Sequence, residues 1–188
     1  MTLLETLFVS GVAATLGSIA VPQALTTLDD VRAAGAARYI AGRLQRARME
    51  AVMRSADVAI RFTQDAAGYS YATYVDGNRN GVRSIDISKN SDRELLPPER
   101  LVDHFPGVSF GTLPNLPAVD SGGTPPGTDP IRLGSSSMAS FSGRGTSSTG
   151  TLYIRGQGST QYAVRIFGET GKTRVVKFES HTRKWTPL

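Results

Sequence analysis

The residue with the clearest chemical problem is Glu5. It is followed by a run, residues 6–28, without a single ionisable side chain. As a helix that run spans roughly 35 Å, enough to cross a bilayer core of about 30 Å. A carboxylate at the edge of such a stretch is costly in lipid, so it calls for a cationic partner. A second group is Asp76-Gly77-Asn78-Arg79-Asn80-Gly81-Val82, which reads as the first half of a calcium loop. Side-chain oxygens stand at relative positions 1, 3 and 5, glycine at 6, and the Val82 carbonyl at 7. The second half does not match: Ile87 holds the place of the bidentate glutamate, and Asp86 lies one residue early. The alternative is a turn whose Asp and Asn side chains cap their own backbone. A third group is the basic C-terminal region, with Lys172, Arg174 and Lys177 as candidate phosphate contacts and an ordinary exposed basic strand as the alternative.

Other chemistry is poorly provided for. There is no cysteine, so disulfides, thiolate metal sites and cysteine catalysis are excluded. His104 and His181, the two histidines, sit in unlike contexts, and there is no G-x-S-x-G or H-E-x-x-H. Gly171-Lys172-Thr173 mimics the end of a P-loop, but Ile166 occupies the place of the first glycine. The expectation is a protein that is not an enzyme and carries no cofactor, with Ca²⁺ as the one candidate ion. A formal net charge of +5 permits binding to nucleic acid or anionic lipid without requiring it.

Three zones must position these groups: an apolar helix over 1–28, the amphipathic half of the same helix over 29–55, and a β-rich head over 56–188. In the second zone Ala33, Ala37, Ile40, Leu44, Ala47 and Ala51 recur every three or four residues, a narrow apolar stripe. Arg32, Arg38, Arg43, Arg46, Arg48 and Arg54 fill the other faces and read as solvated. The helix runs from about Thr2 to Arg54, with Pro22 interrupting it and Gly11 and Gly17 weakening the same half. Beyond Ser55 the period changes to 2. Strands are expected at 58–62, 69–75, 82–87, 108–110, 138–141, 151–155, 161–167 and 173–179, with a short edge element in 94–102. A Pro-, Gly- and Ser-rich loop occupies most of 111–150, and the last three strands form a meander. Trp185 and Pro187 are placed against a sheet edge or a neighbour. The fold class is α+β: a long helix packed on an antiparallel sheet.

Met1-Thr2-Leu3-Leu4-Glu5 resembles the mature N-terminus of type IV pilins and pseudopilins, and Glu5 and Pro22 both fall in that superfamily's register. Met1 departs from the usual phenylalanine. The head narrows the resemblance. The stretch from Ala36 to Ala51, ending Ala47-Arg48-Met49-Glu50-Ala51, is similar to the GspH/FimT pseudopilin and minor-pilin family, as are the 58–62 strand, the D-x-N-x-N-G turn, Phe141 to Gly145, Gly150 to Arg155, and Thr170 to Val175.

The resemblance implies a filament subunit. A prepilin peptidase would cut before Met1, which would then be N-methylated. The helix would hold the chain in the inner membrane, in contact with lipid and an assembly platform. The subunit would then join copies of itself and other pilins or pseudopilins in a periplasmic or extracellular filament. Glu5 would pair with the α-amine of residue 1 on a neighbouring chain, and Pro22 would mark where the helix bends or melts on assembly. Three roles are compatible: a minor type II secretion pseudopilin, a type IV minor pilin, and a main filament subunit. Some FimT-like minor pilins bind DNA through a Gly-Arg-x-Arg motif; here Gly171-Lys172-Thr173-Arg174 matches with lysine for the first arginine, which loses the bidentate fork. A monotopic membrane-anchored binding protein is the competing class, and would make Glu5 incidental.

Overall fold

The computed structural model describes residues 2–188, so the Met1 expectation lies outside the described residues. One helix, α1 (Leu3–Arg54), dominates the chain. Thr2 caps it through a reciprocal box: its hydroxyl accepts from the Glu5 backbone N–H, and the Glu5 carboxylate accepts from the Thr2 N–H, both at 3.3 Å. Ser55 ends it in the left-handed conformation. The expected interruption at Pro22 is absent, and the helix continues through it. A proline removes its own backbone donor, but the turns on either side keep theirs.

The six residues of the expected apolar stripe, from Ala33 to Ala51, are all buried, together with Ala34 and Ala36. Most of these side chains are single methyl groups, so the backbone of α1 can lie close against the sheets. Two sheets receive it, where a single one was expected. The first contains β1 (Val58–Asp65), β2 (Gly68–Val75), β3 (Arg93–Arg100) and β6 (Met138–Phe141), in the order β3-β2-β1-β6. The second contains β7 (Gly150–Arg155), β8 (Gln161–Phe167), β9 (Lys172–Glu179) and β10 (Lys184–Pro187), with β4 (Ser109–Phe110) and β5 (Ile131–Arg132) both pairing with β7. The strand pairings are antiparallel in both sheets. The main core lies between α1 and the two sheets and includes Ile40, Leu44, Ile60, Phe62, Phe141, Leu152, Val164 and Ile166.

A smaller core covers the opposite face of the second sheet. Leu116, Tyr153, Ala163, Val176 and Phe178 pack there with Leu113, Val119 and Trp185. It lies under the 111–130 loop, and a buried glutamine pins that loop. The Gln161 carbonyl accepts from Leu113 N–H at 2.9 Å, and its amide donates to the Gly111, Ile154 and Tyr162 carbonyls at 3.0–3.1 Å. Trp185 donates to the Pro117 carbonyl and packs at a tilt against the Phe178 ring, so it covers the sheet from the added edge strand β10.

The expected strand at 82–87 is instead a short helix, α2 (Ser84–Ser88). The cause is Asp92, which is buried and accepts from both Gly77 N–H and Arg83 N–H. That carboxylate draws the chain into a compact loop in which an extended strand has no room. β3 is longer than the expected edge element. Its two prolines are accommodated at the sheet edge, where pairing with β2 shifts register twice. A second short helix, α3 (Leu101–His104), follows it.

Candidate assembly surface on the N-terminal helix

The apolar half of α1 is chemically quiet except at one point. Its hydroxyls are turned onto their own backbone: Ser10 donates to the Thr6 carbonyl, Thr15 to Val12, Ser18 to Thr15, and Thr26 and Thr27 to Gln23, all at 2.7–2.9 Å. Satisfied in this way, they carry little penalty in an apolar medium. Leu3, Leu4, Leu7, Phe8, Val9, Val12, Leu16, Val21, Leu25 and Leu28 are all exposed. An 18-residue window of this helix is long and apolar enough to cross a membrane, and none of it is covered by the head. Glu5 is the one charge in that half, and among the described residues its hydrogen-bond partner is Thr2.

Where the apolar half ends, paired acids fasten the helix to the head. Asp29 accepts from Gln157 N–H at 2.7 Å, and Gly156 leaves the room for that carboxylate to approach. Asp30 accepts from the Tyr162 hydroxyl at 2.9 Å and from Lys177 Nζ at 3.0 Å. Higher up, Gln45 donates to the Gly171 carbonyl, and Arg48 to the Gly145 carbonyl. Gly171 has φ +61° and lies against Arg48 and the Gly145 carbonyl, so a side chain there meets both strain and a wall.

Reading the arginines as one solvated face misses a cluster. The Glu99 carboxylate accepts from Tyr39 and Arg43, both at 2.9 Å, and from Tyr71 at 3.4 Å, with His104 Nε2 at 3.5 Å. This cluster ties β3 and the end of α3 to α1. Burial pushes the Tyr71 hydroxyl well above the ordinary tyrosine range, and Tyr39 moves the same way. The one signal in sequence is that Tyr39 and Arg43 stand one helical turn apart; nothing local points to Glu99.

The other candidate residues are only partly brought together. Lys172 and Arg174 lie on the outer face of β9, where Arg174 and Arg165 flank the Phe167 ring at 5.7 and 5.8 Å and Asp120 bridges both guanidiniums. Lys177 points to the opposite face, toward Asp30 on the helix. In the 76–82 turn, the Asp76 carboxylate accepts from the backbone N–H groups of Asn78, Arg79 and Gly81, and Asn78 accepts from Asn80 N–H. Asp86 sits on α2, and its carbonyl accepts from Ser91 and Asp92. Among the described residues no group of three or more His, Asp or Glu side chains is arranged to hold a metal ion.

The family described as type II transport protein GspH matches residues 36–170, well over half of the chain. The chain belongs to this family. No curated protein and no solved structure matches it. The GspH match begins on the head-docked half of α1 and ends at the turn before β9, so it spans the helix–sheet core described above. GspH is a family of structural pseudopilins, and membership supports the role of a type II secretion pseudopilin that associates with other pseudopilins. The uncovered apolar half of α1 precedes the matched region and is consistent with a membrane anchor.

Proposed function

We propose that this chain is a filament subunit of a type II secretion machine, held in the inner membrane by residues 3–28 before it is drawn into a filament. The observation that carries the reading is the uncovered apolar half of α1 with one carboxylate at its start. In lipid that half is solvated. Outside lipid it needs the helices of neighbouring subunits, and a bundle of such helices would form the filament core with the heads outside. Glu5 is then the registration charge. It attracts a cation on the neighbouring chain strongly in low dielectric, and the α-amine of residue 1 is the cation that the pilin resemblance implies. Processing before Met1 by a prepilin peptidase and docking to an inner-membrane platform belong to the same proposal. The test is Glu5→Ala: membrane insertion stays intact and incorporation into filaments is lost. Normal filament yield from that variant overturns the reading.

A second reading, DNA contact by a minor pilin, is favoured by the Arg165–Phe167–Arg174 arrangement, which offers an aromatic face between two cations beside Lys172. Binding of DNA should then weaken steeply with salt and be lost in Arg174→Ala, while Lys177→Ala should leave binding unchanged.

A further inference from the structure

The end of the apolar run decides which part of the head lies nearest a bilayer. Residues 6–28 span roughly 35 Å, and the headgroup layer outside a core of about 30 Å adds about 5–7 Å, the rise of about four helical residues. An anchored chain therefore carries Asp29, Asp30, Val31 and Arg32 at headgroup depth. The helix is unbroken, and the head is tied to it at that level, Asp29 to Gln157 and Asp30 to Tyr162 and Lys177. Two turns of the second sheet end there as well. Arg155 pairs with Gln161, next to Tyr162, and Lys184 pairs with Glu179, two residues beyond Lys177. No linker lets this rim swing away from the helix.

The rim is basic. Arg155 and Lys184 are exposed and Arg32 is half-buried, and none of these side chains has a hydrogen bond or ion pair among the described residues. Arg183 gives one N–H to the Asn115 carbonyl and keeps its charge. With the Asp30–Lys177 pair set aside, these cations outnumber the nearby acids Asp29 and Glu179. Apolar residues stand among them. Val31 is 63% exposed, and Pro106 is exposed between Phe105, which lies against Gly35, and Gly107, which lies against Gln157. Cations interleaved with apolar residues at headgroup depth are the makeup of a contact with anionic lipid.

We propose that this rim docks on the anionic phospholipid headgroups of the membrane that holds α1, and that the contact sets the direction in which the helix tilts. The inference rests on the membrane-anchor reading above. An apolar run slightly longer than the bilayer core is accommodated by tilting, and interfacial anchors choose the direction. The head lies to one side of α1. A tilt toward the head presses Arg155, Arg183 and Lys184 among the headgroups, and the opposite tilt lifts them out. Anionic lipid gathers under the rim, within reach of its unscreened charges. The excess of cations is small, so the rim orients an anchored head and does not hold a free one, for which a second membrane signal is needed. The docked pose is a resting state, and it must be released before the head leaves the bilayer surface.

The chain has no cysteine, so a single label can be placed on it. Ser159→Cys, at the exposed tip of the β7–β8 turn, carries a fluorescent donor on the full chain in vesicles of phosphatidylcholine and phosphatidylglycerol. Energy transfer is read to an acyl-chain acceptor on one lipid or the other, at equal mole fraction. Transfer to labelled phosphatidylglycerol should exceed transfer to labelled phosphatidylcholine at least about twofold at low salt, and the two should converge at high salt. Arg32→Gln with Arg155→Gln and Lys184→Gln should bring the ratio to one. Lys89→Gln with Arg93→Gln and Arg144→Gln removes as much charge from exposed positions toward the other end of the head and should leave the ratio unchanged. Equal transfer to the two lipids at low salt overturns the docking and leaves the anchor reading standing. So does a ratio that survives the rim substitutions or falls equally with the distant ones. No transfer to either lipid puts the turn away from the bilayer and overturns the anchor reading as well.

Discussion

Gln161 shows how much can hang on one polar side chain. It is wholly buried; two of its four hydrogen bonds join β8 to the loop over the outer core, and the other two go to the Ile154 carbonyl of β7 and the Tyr162 carbonyl of β8. Gln161→Leu keeps the bulk but strands the Leu113 N–H and Gly111 carbonyl, at a cost of about 1–3 kcal/mol. Urea unfolding of the detergent-solubilised chain should show that loss as a lower midpoint with an unchanged slope. The tyrosines make a pH prediction. Burial raises Tyr71 and Tyr153, and raises Tyr162, which also donates to Asp30. A raised folded-state value means that the neutral form is the one the fold holds. That stability is fully present below the unfolded tyrosine value near 10 and is lost as pH rises above it. The thermal unfolding midpoint should therefore decline from about pH 10 upward, and Tyr71→Phe should flatten the decline. Asp65 runs the other way. Its hydrogen bond to Arg100 holds it below the usual carboxylate range, so its contribution fades on acidification. At the 76–82 turn, Asp76→Ala should cost about 1–2 kcal/mol by removing an acceptor for three N–H groups.

At the scale of elements, the join between α1 and the sheets is set by alanines. Ala33, Ala36, Ala37 and Ala51 are completely buried, so Ala37→Leu should overpack the contact and cost about 1–3 kcal/mol, while Leu44→Ala should open a cavity and cost about 2–5 kcal/mol. Differential scanning calorimetry separates these from a surface change such as Arg46→Ala, which should move the transition little. The stripe is readable in sequence because a helix buries one face at a fixed period, and every residue of it is buried. The meander β7–β8–β9 is readable for the analogous reason. What the sequence does not reveal has a common cause. The strand expected at 82–87 is overruled by Asp92, which lies outside that segment and whose carboxylate accepts from Gly77 and Arg83 N–H to gather the loop. β5 and β10 are two- and four-residue strands recruited by neighbours, not by their own pattern. Glu99, ordinary in sequence, becomes the centre of a cluster through residues from α1, β2 and α3. Lys177 reads as a companion of Lys172 and Arg174, but it faces the helix, where Asp30 holds it.

For the whole molecule, the split of α1 into an uncovered half and a docked half is the observation on which the proposed assembly rests. The head can fold around residues 29–54 without the apolar half, and the apolar half can enter or leave lipid without disturbing the head. A chain lacking residues 2–28 should therefore stay folded, with an unchanged aromatic near-UV circular dichroism signal, yet fail to associate with membranes in flotation assays.

That same continuity has a mechanical side. A helix of 52 residues is a rod of about 78 Å, and any machine that draws the subunit out of the bilayer pulls along this rod. The Asp29 and Asp30 ties, Arg43 on Glu99, Gln45 on Gly171 and Arg48 on Gly145 are spaced along its length. An axial load would strain them side by side in shear and would not unzip them one after another. The grip of the head on its helix is thus arranged to resist a pull along the helix axis, the direction in which the proposed extraction from the bilayer would act.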